Sequence, residues 1–330
     1  ALSELDLAVS LRPCHGPGGH FSVVGTTINL DGASNHPADG YPTFAHWPTH
    51  LGKSHQQVHL SWLKRAVDGG LRLAVCLAVN NEAWATESVV PPFVLAKRGK
   101  REPDDELTRA AGGYPTDDAG SIRLQLAAME ALVARVDADN NGDGWVKLAR
   151  NPQEARRIIA AGKLALVPGV EVPSLGGWYS VDDLDRAALL ASRTPQALIA
   201  QLLDDLYARG VRHLFPVHAL DNAFGGGGIF TRNYQTVATA TNKRPLAVES
   251  APVQDGVAYR LDQDEFSGGG LGEFFAGAAT PESWRAASGG HRNPTGLTRH
   301  GRVLVEELMA RGMIIDVDHL GIRGLDQLLA

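Results

Sequence analysis

Three side chains able to bind a metal or move a proton stand at the ends of apolar runs that lie far apart in the chain. Glu171 closes Leu164-Ala-Leu-Val-Pro-Gly-Val-Glu171. His218 closes Val211-Arg-His-Leu-Phe-Pro-Val-His218, and His319 closes Met313-Ile-Ile-Asp-Val-Asp-His319. Asn80, Asn81 and Glu82 follow a fourth run, Leu71 to Val79. An ionisable group at the end of a buried strand is costly unless it is paired, hydrogen-bonded or bound to an ion. Imidazole nitrogen and carboxylate oxygen are the donors of zinc sites, at roughly 2.0–2.2 Å. A bound divalent ion lowers the pKa of a water to about 7, which is what hydrolysis at neutral pH needs. The bland alternative is a set of satisfied polar residues facing loops; three such tips together weigh against it.

The elements that must position these groups recur as a unit: an amphipathic helix, a glycine, then a short apolar strand. His55 to Asp68 reads as a helix ended by Gly69-Gly70. Asn151-Pro152-Gln153-Glu154 reads as a capped helix start, with Pro at the first position and Glu as the return partner of a capping box. Thr194-Pro195 opens a third helix ending at Gly210, and a fourth carries Leu304, Leu308 and Met309 and ends at Gly312. Near-continuous apolar strands alternating with helices indicate parallel βα units. No Gly-x-Gly-x-x-Gly follows the first strand, so a doubly wound dinucleotide fold has no support. The expected architecture is a (β/α)8 TIM-barrel metallohydrolase, one unit over residues 1–330 with insertions at about 80–118 and 220–296. Barrel chemistry sits at the C-terminal ends of the strands, where Glu171, His218 and His319 fall. Four strands cannot close such a barrel, and the sequence runs from Ala1 to Leu328-Leu329-Ala330 inside a helical pattern. The expectation is therefore an incomplete barrel, its first and last strands outside this chain.

Composition narrows the classes. Of 330 residues, 44% are hydrophobic and 21% charged, a globular balance rather than a disordered one. With 31 basic and 37 acidic residues the net charge is -6, which gives no electrostatic footprint for nucleic acid. No apolar run reaches the roughly 20 residues of a membrane helix, so no transmembrane segment is expected in this chain. Cys14 and Cys76 do not make a disulfide scaffold. A homo-oligomer is compatible with all of this.

Weaker patterns point elsewhere. Asp139-Asn-Asn141-Gly-Asp143-Gly144 has the first half of a calcium-binding loop, but Arg150 stands where a bidentate Glu belongs, so a polar turn is the favoured reading. His55 and His59 share a helix face without the Glu of a metalloprotease motif. Gly225 to Gly228 lacks the Lys-Ser/Thr of a phosphate loop and reads as a mobile loop near the site.

Three segments, in order, carry a family resemblance. Gly296-Leu-Thr-Arg-His-Gly, continuing to Gly312-Met-Ile-Ile-Asp-Val-Asp-His319, resembles the GLT-x-x-G…LGM-x-x-D-x-SH segment of membrane (renal) dipeptidases. Gly169-Val-Glu171 resembles their GVEG, and Leu206 to His218 resembles their LY-x-x-GVRY-x-T-L-TH, with Asn222 where their following Asn stands. The matches cover roughly 151–222 and 296–325. The stretch from Gly40 to Val79, with Trp47, His55-Gln-Gln57 and Asp68-Gly-Gly70, resembles a larger bacterial branch of dipeptidase-like metallohydrolases. The resemblance implies a barrel holding two zinc ions that hydrolyses dipeptides. Glu171 then matches the carboxylate bridging the metals, His319 a metal-ligand His, and His218 the His that contacts the substrate and polarises its carbonyl, with Asn222 also at the substrate. The implied chemistry is attack of a metal-activated hydroxide on a peptide carbonyl, the oxyanion stabilised by His218 and the metals. The implied partner is a small peptide or amide.

The chain also departs from the family. Its first-strand His-x-Asp pair has no counterpart; His15 and His20 are nearest, in a Gly/Pro loop. A further metal His and a proton-handling Asp would fall after Ala330. Asp318 replaces the Ser before the final His, and Val172-Pro-Ser-Leu replaces Gly-Gly after Glu171. The chain by itself is therefore expected to hold two metals poorly and to be inactive alone. Two alternatives stay open: another barrel amidohydrolase acting on an amide, lactone or ester, and a non-catalytic barrel that has lost its metal ligands.

Overall fold

The computed structural model describes residues 60–82, 115–229, 244–261 and 289–330, with 235, 238 and 242. Cys14, His15, His20, Trp47, His55, His59, most of the first proposed insertion and about half of the second lie outside the described residues.

The apolar runs form a parallel sheet. Strand β1 (Leu73–Val79) pairs along its whole length with β3 (Leu164–Glu171), from Leu73↔Ala165 to Val79↔Glu171. That pairing takes one edge of β3, so its other two partners share the opposite edge. Strand β2 (Val146–Leu148) lies against Leu164 to Leu166, and β4 (His213–Leu214) against Gly169 and Val170. Strand β7 (Ile314–Ile315) pairs with β4. A separate antiparallel pair joins β5 (Glu249–Ser250) and β6 (His291–Arg292). The molecule is thus a mixed α/β protein with a mostly parallel sheet. Among the described residues no helix is long and apolar enough to cross a membrane.

Seven α-helices are described: α1 (Leu60–Asp68), α2 (Asp118–Asp139), α3 (Pro152–Ala160), α4 (Val181–Leu190), α5 (Pro195–Ala208), α6 (Arg299–Ala310) and α7 (Ile322–Leu329). Their starts follow capping chemistry: Asn151, Ser180, Thr194 and Thr298 each accept a backbone N–H from the first turn. The capping box at α3 is displaced by one residue, because Glu154 accepts from Arg150 N rather than from the cap itself.

Alternate residues of a strand point to opposite faces, and here the two faces differ sharply. Ala78, Val170 and Leu214 pack on Ile122, Leu126 and Met129 of α2, Leu203 of α5 and Leu304 of α6. Leu164 and Leu166, on the same face, pack on Val67 of α1 and Val136 of α2. The other face carries Leu73, Val75, Val79 and Ile314, each between 44% and 52% exposed, and ends in Glu171. Helices α1, α2, α5 and α6 therefore cover one side of the sheet, and the candidate site belongs to the other.

Strand lengths depart from the sequence expectation in one respect that matters to the site. Two runs read as strands through His218 and His319 leave the sheet after Leu214 and Ile315, which are register partners. Each histidine lies four residues past that point, in loop rather than at a strand tip.

Candidate functional site

The end of β3 and the loops after β4 and β7 converge at one end of the sheet and bring Glu171, His218 and His319 together. His218 Nε2 lies 3.0 Å from Glu171 Oε1. His319 Nε2 lies 3.6 Å from the same oxygen, beyond hydrogen-bonding length. The two imidazoles meet edge to face, centroids 4.7 Å apart and planes at 86°. One donor atom from each of the three residues falls within 4.8 Å of the others. His218 is buried and Glu171 and His319 are half-buried.

Local backbone explains how loop residues hold this geometry. Ala219 and His319 both adopt left-handed conformations, φ 61° and 68°, which non-glycine residues keep only where their surroundings over-determine them. Those surroundings come from residues 220–229, expected to open an insertion but in fact packed against the site. Gly225 and Gly227 bridge to Leu297 and Leu320, and Gly228 N donates to His319 O at 2.7 Å. Gly226 is required by close approach, since a Cβ there would sit 2.5 Å from Thr295 O. Residues 225–228, read from the sequence as a mobile loop, are packed and mostly buried in this structure. Buried Asp221 holds the segment, accepting from Gly227 N, Ala247 N and Asn293 Nδ2. Desolvation raises its carboxyl pKa. The ring of Phe215 lies beside both imidazoles, its centroid 6.4 Å from that of His218 and 6.1 Å from that of His319.

Electrostatics follow from these contacts. The imidazoles of His218 and then His319 hold the Glu171 carboxyl well below the usual carboxylate range, at about 2. Glu171 is therefore ionised at neutral pH, as a metal ligand must be.

Asn222 was expected at the substrate. It is buried, and its amide is taken up by backbone: Nδ2 donates to Pro173 O and Pro216 O, and Oδ1 accepts from Phe224 N and Gly225 N. That uses both donors and both acceptor positions of the amide, so Asn222 braces the loop beneath His218. The calcium pattern is likewise engaged otherwise. Asp139 pairs with Arg135 and Asp143 with Lys163, and Asn141 and Gly142 turn the chain with positive φ.

Three functional neighbours had no sequence-level prediction. Asp118, at the start of α2, is buried; its Oδ2 accepts from Ser174 N and Oγ, and its Oδ1 from Asn80 Nδ2. Desolvation pushes its carboxyl up to about 6. His213 and Asp316 form a second imidazole–carboxylate pair at 2.9 Å. Asp316 was visible as a charged residue inside an apolar run, the one signal that could have marked it.

Comparison with known proteins returns no matching family model, no matching curated protein and no matching solved structure.

Proposed function

We propose that this chain is a metal-dependent hydrolase of the dipeptidase-like kind, acting on a small peptide or amide at Glu171, His218 and His319. The observation that carries the reading is the convergence of one carboxylate oxygen from the end of β3 and two imidazole nitrogens from the loops after β4 and β7. The donor set fits a zinc-type ion. Ligands bonded at about 2.0–2.1 Å around a tetrahedral centre are about 3.4 Å apart. Glu171 Oε1 and His319 Nε2, at 3.6 Å, already have that spacing without being hydrogen-bonded. When bound, such an ion supplies Lewis acidity and a water acidic enough to react at neutral pH.

The protein's own groups divide the remaining work. Glu171 and His319 would hold the ion. His218 Nε2 lies within hydrogen-bonding distance of Glu171 Oε1, at 3.0 Å, where His319 Nε2 stands at 3.6 Å. That contact makes His218 the better candidate for a donor through Nε2–H. Once Glu171 is engaged by the ion, that proton is free to face a substrate carbonyl oxygen and stabilise the charge that develops there. Phe215 and the packed segment 220–229 wall one side of the site against water.

A (β/α)8-type barrel is part of the proposal. Doubly wound sheets carry helices on both faces, whereas α1, α2, α5 and α6 all cover one face here. The half-exposed apolar residues of the other face are what a barrel interior would bury. Eight strands are needed, and five parallel ones are described.

The test is zinc binding by the full chain, followed by turnover of D- and L-dipeptides. Glu171→Gln is expected to lose zinc binding while keeping the helical circular dichroism of the parent. Undiminished zinc affinity in that variant would overturn the proposal.

A further inference from the structure

Below Glu171 on the same sheet face lies the His213–Asp316 pair, which the proposed chemistry does not use. His213 stands on β4 in register with Gly169 and Ile314. Its buried ring rests on Gly169, where a Cβ would fall 3.0 Å from His213 Nδ1 and 2.6 Å from Leu77 Cδ2. Nε2 is 2.9 Å from Asp316 Oδ2, while Nδ1 is buried without a hydrogen-bond partner among the described residues. An acceptor on one side only places the imidazole proton on Nε2, facing the carboxylate.

Asp316 uses its other oxygen as well. Its Oδ1 accepts from Asp318 N at 2.9 Å, closing an Asx turn. One carboxylate thus ties β4 to the turn at 316–318, and His319 follows directly at φ 68°. On the far side of that residue, Gly228 N holds the His319 carbonyl. The turn and the Gly228 contact hold the His319 backbone from both sides, and its ring points at Glu171.

We infer that Asp316, oriented by His213, is a positioning residue that aims the His319 imidazole at the metal position. This rests on the metal reading for its functional meaning, though the geometry can be tested without metal.

The experiment uses the full chain and Co2+ alone, whose visible absorption reports its ligands. Asp316→Asn and His213→Phe are each expected to weaken Co2+ binding by about 10–100-fold, as loss of an outer partner of a ligand does, and to shift the absorption bands. His213→Gln keeps an N–H donor for Asp316 and is expected to recover most of the affinity. Unchanged affinity and bands in His213→Phe would overturn the inference. Ring 15N spectra of the metal-free protein form the independent arm. There the His319 signal should move in Asp316→Asn and His213→Phe, while that of His300, paired with Asp185, stays. A parent chain that takes up no Co2+ refutes the metal reading; the ring spectra then decide alone, a moved His319 signal upholding the positioning role and an unmoved one refuting it. If Asp316→Asn does not fold, the His213 pair of variants carries the same comparison.

Discussion

Glu171 and Asp118 are carboxylates held above the same end of the sheet, and their surroundings treat them in opposite ways. Glu171 faces two imidazoles, and its pKa is held at about 2. Asp118 is more deeply buried and receives only neutral donors, Ser174 N, Ser174 Oγ and Asn80 Nδ2, and burial pushes its pKa up to about 6. The two are linked: Ser174 is three residues beyond Glu171, and Asn80 N donates to the Glu171 carbonyl. Asp118 therefore fastens the loop that follows Glu171. A buried carboxylate marks a candidate site only when its partners can exchange it for a ligand, and those of Asp118 instead fasten one loop to another.

The comparison breaks most visibly in metal binding. Glu171→Gln is expected to weaken zinc affinity by more than the roughly 100-fold that loss of an outer partner causes, whereas Asp118→Asn is expected to stay within about 10-fold; calorimetric titration distinguishes them. A variant at Asp118 with the larger loss would reverse the assignment.

The next largest effect is on stability against pH. A carboxyl raised from about 3.9 unfolded to about 6 folded binds its proton more tightly in the native state. Between about pH 4 and 6 the folded protein then holds more protons, so stability falls as pH rises through that window and levels off above it. The magnitude is on the order of 2–3 kcal/mol. Glu171 has the opposite sign: its contribution is present above about pH 4.3 and is lost as pH falls toward 2. Urea unfolding at several pH values should show the fall between pH 4 and 6 in the parent and its disappearance in Asp118→Asn. Persistence of the fall in the variant would contradict the account.

Gly169→Ala sharpens the contrast from below the site. Its Cβ would meet Leu77 and His213, and overpacking of this kind costs about 1–3 kcal/mol. A lowered thermal midpoint, with weakened Co2+ binding, is expected. The smallest effect is at Asp139, Asn141 and Asp143, where millimolar calcium is expected to leave the thermal midpoint unchanged.

Much of this was legible before any coordinates. Strand β3 has the limits its apolar run announced, and the starts of α3 and α5 follow from Asn151 and Thr194. Glu171, His218 and His319 stood out because each ends an apolar run, and that signal survives although two of the runs leave the sheet early. Pro216 lacks the N–H a continuing ladder needs, and Asp316 turns the chain by accepting from Asp318 N. Helix α2 went unread even though Ile122, Leu126, Met129 and Val136 keep helical spacing; alanines and charged residues between them dilute the contrast. Helix α4 and strand β2 were missed as well, β2 being only three residues long. Asp118 and His213 could not be read, because their roles depend on Ser174 and Asp316, partners 56 and 103 positions away that only the parallel register brings near.

The central claim is that Glu171 and His319 hold one ion. Crystals of the full chain grown with zinc, and anomalous difference density collected at the zinc edge, test it most directly. The account predicts a peak bonded to Glu171 Oε1 and His319 Nε2 at roughly 2.0–2.2 Å. Zinc bound only elsewhere on the protein, with the Glu171–His218 hydrogen bond intact, would contradict it.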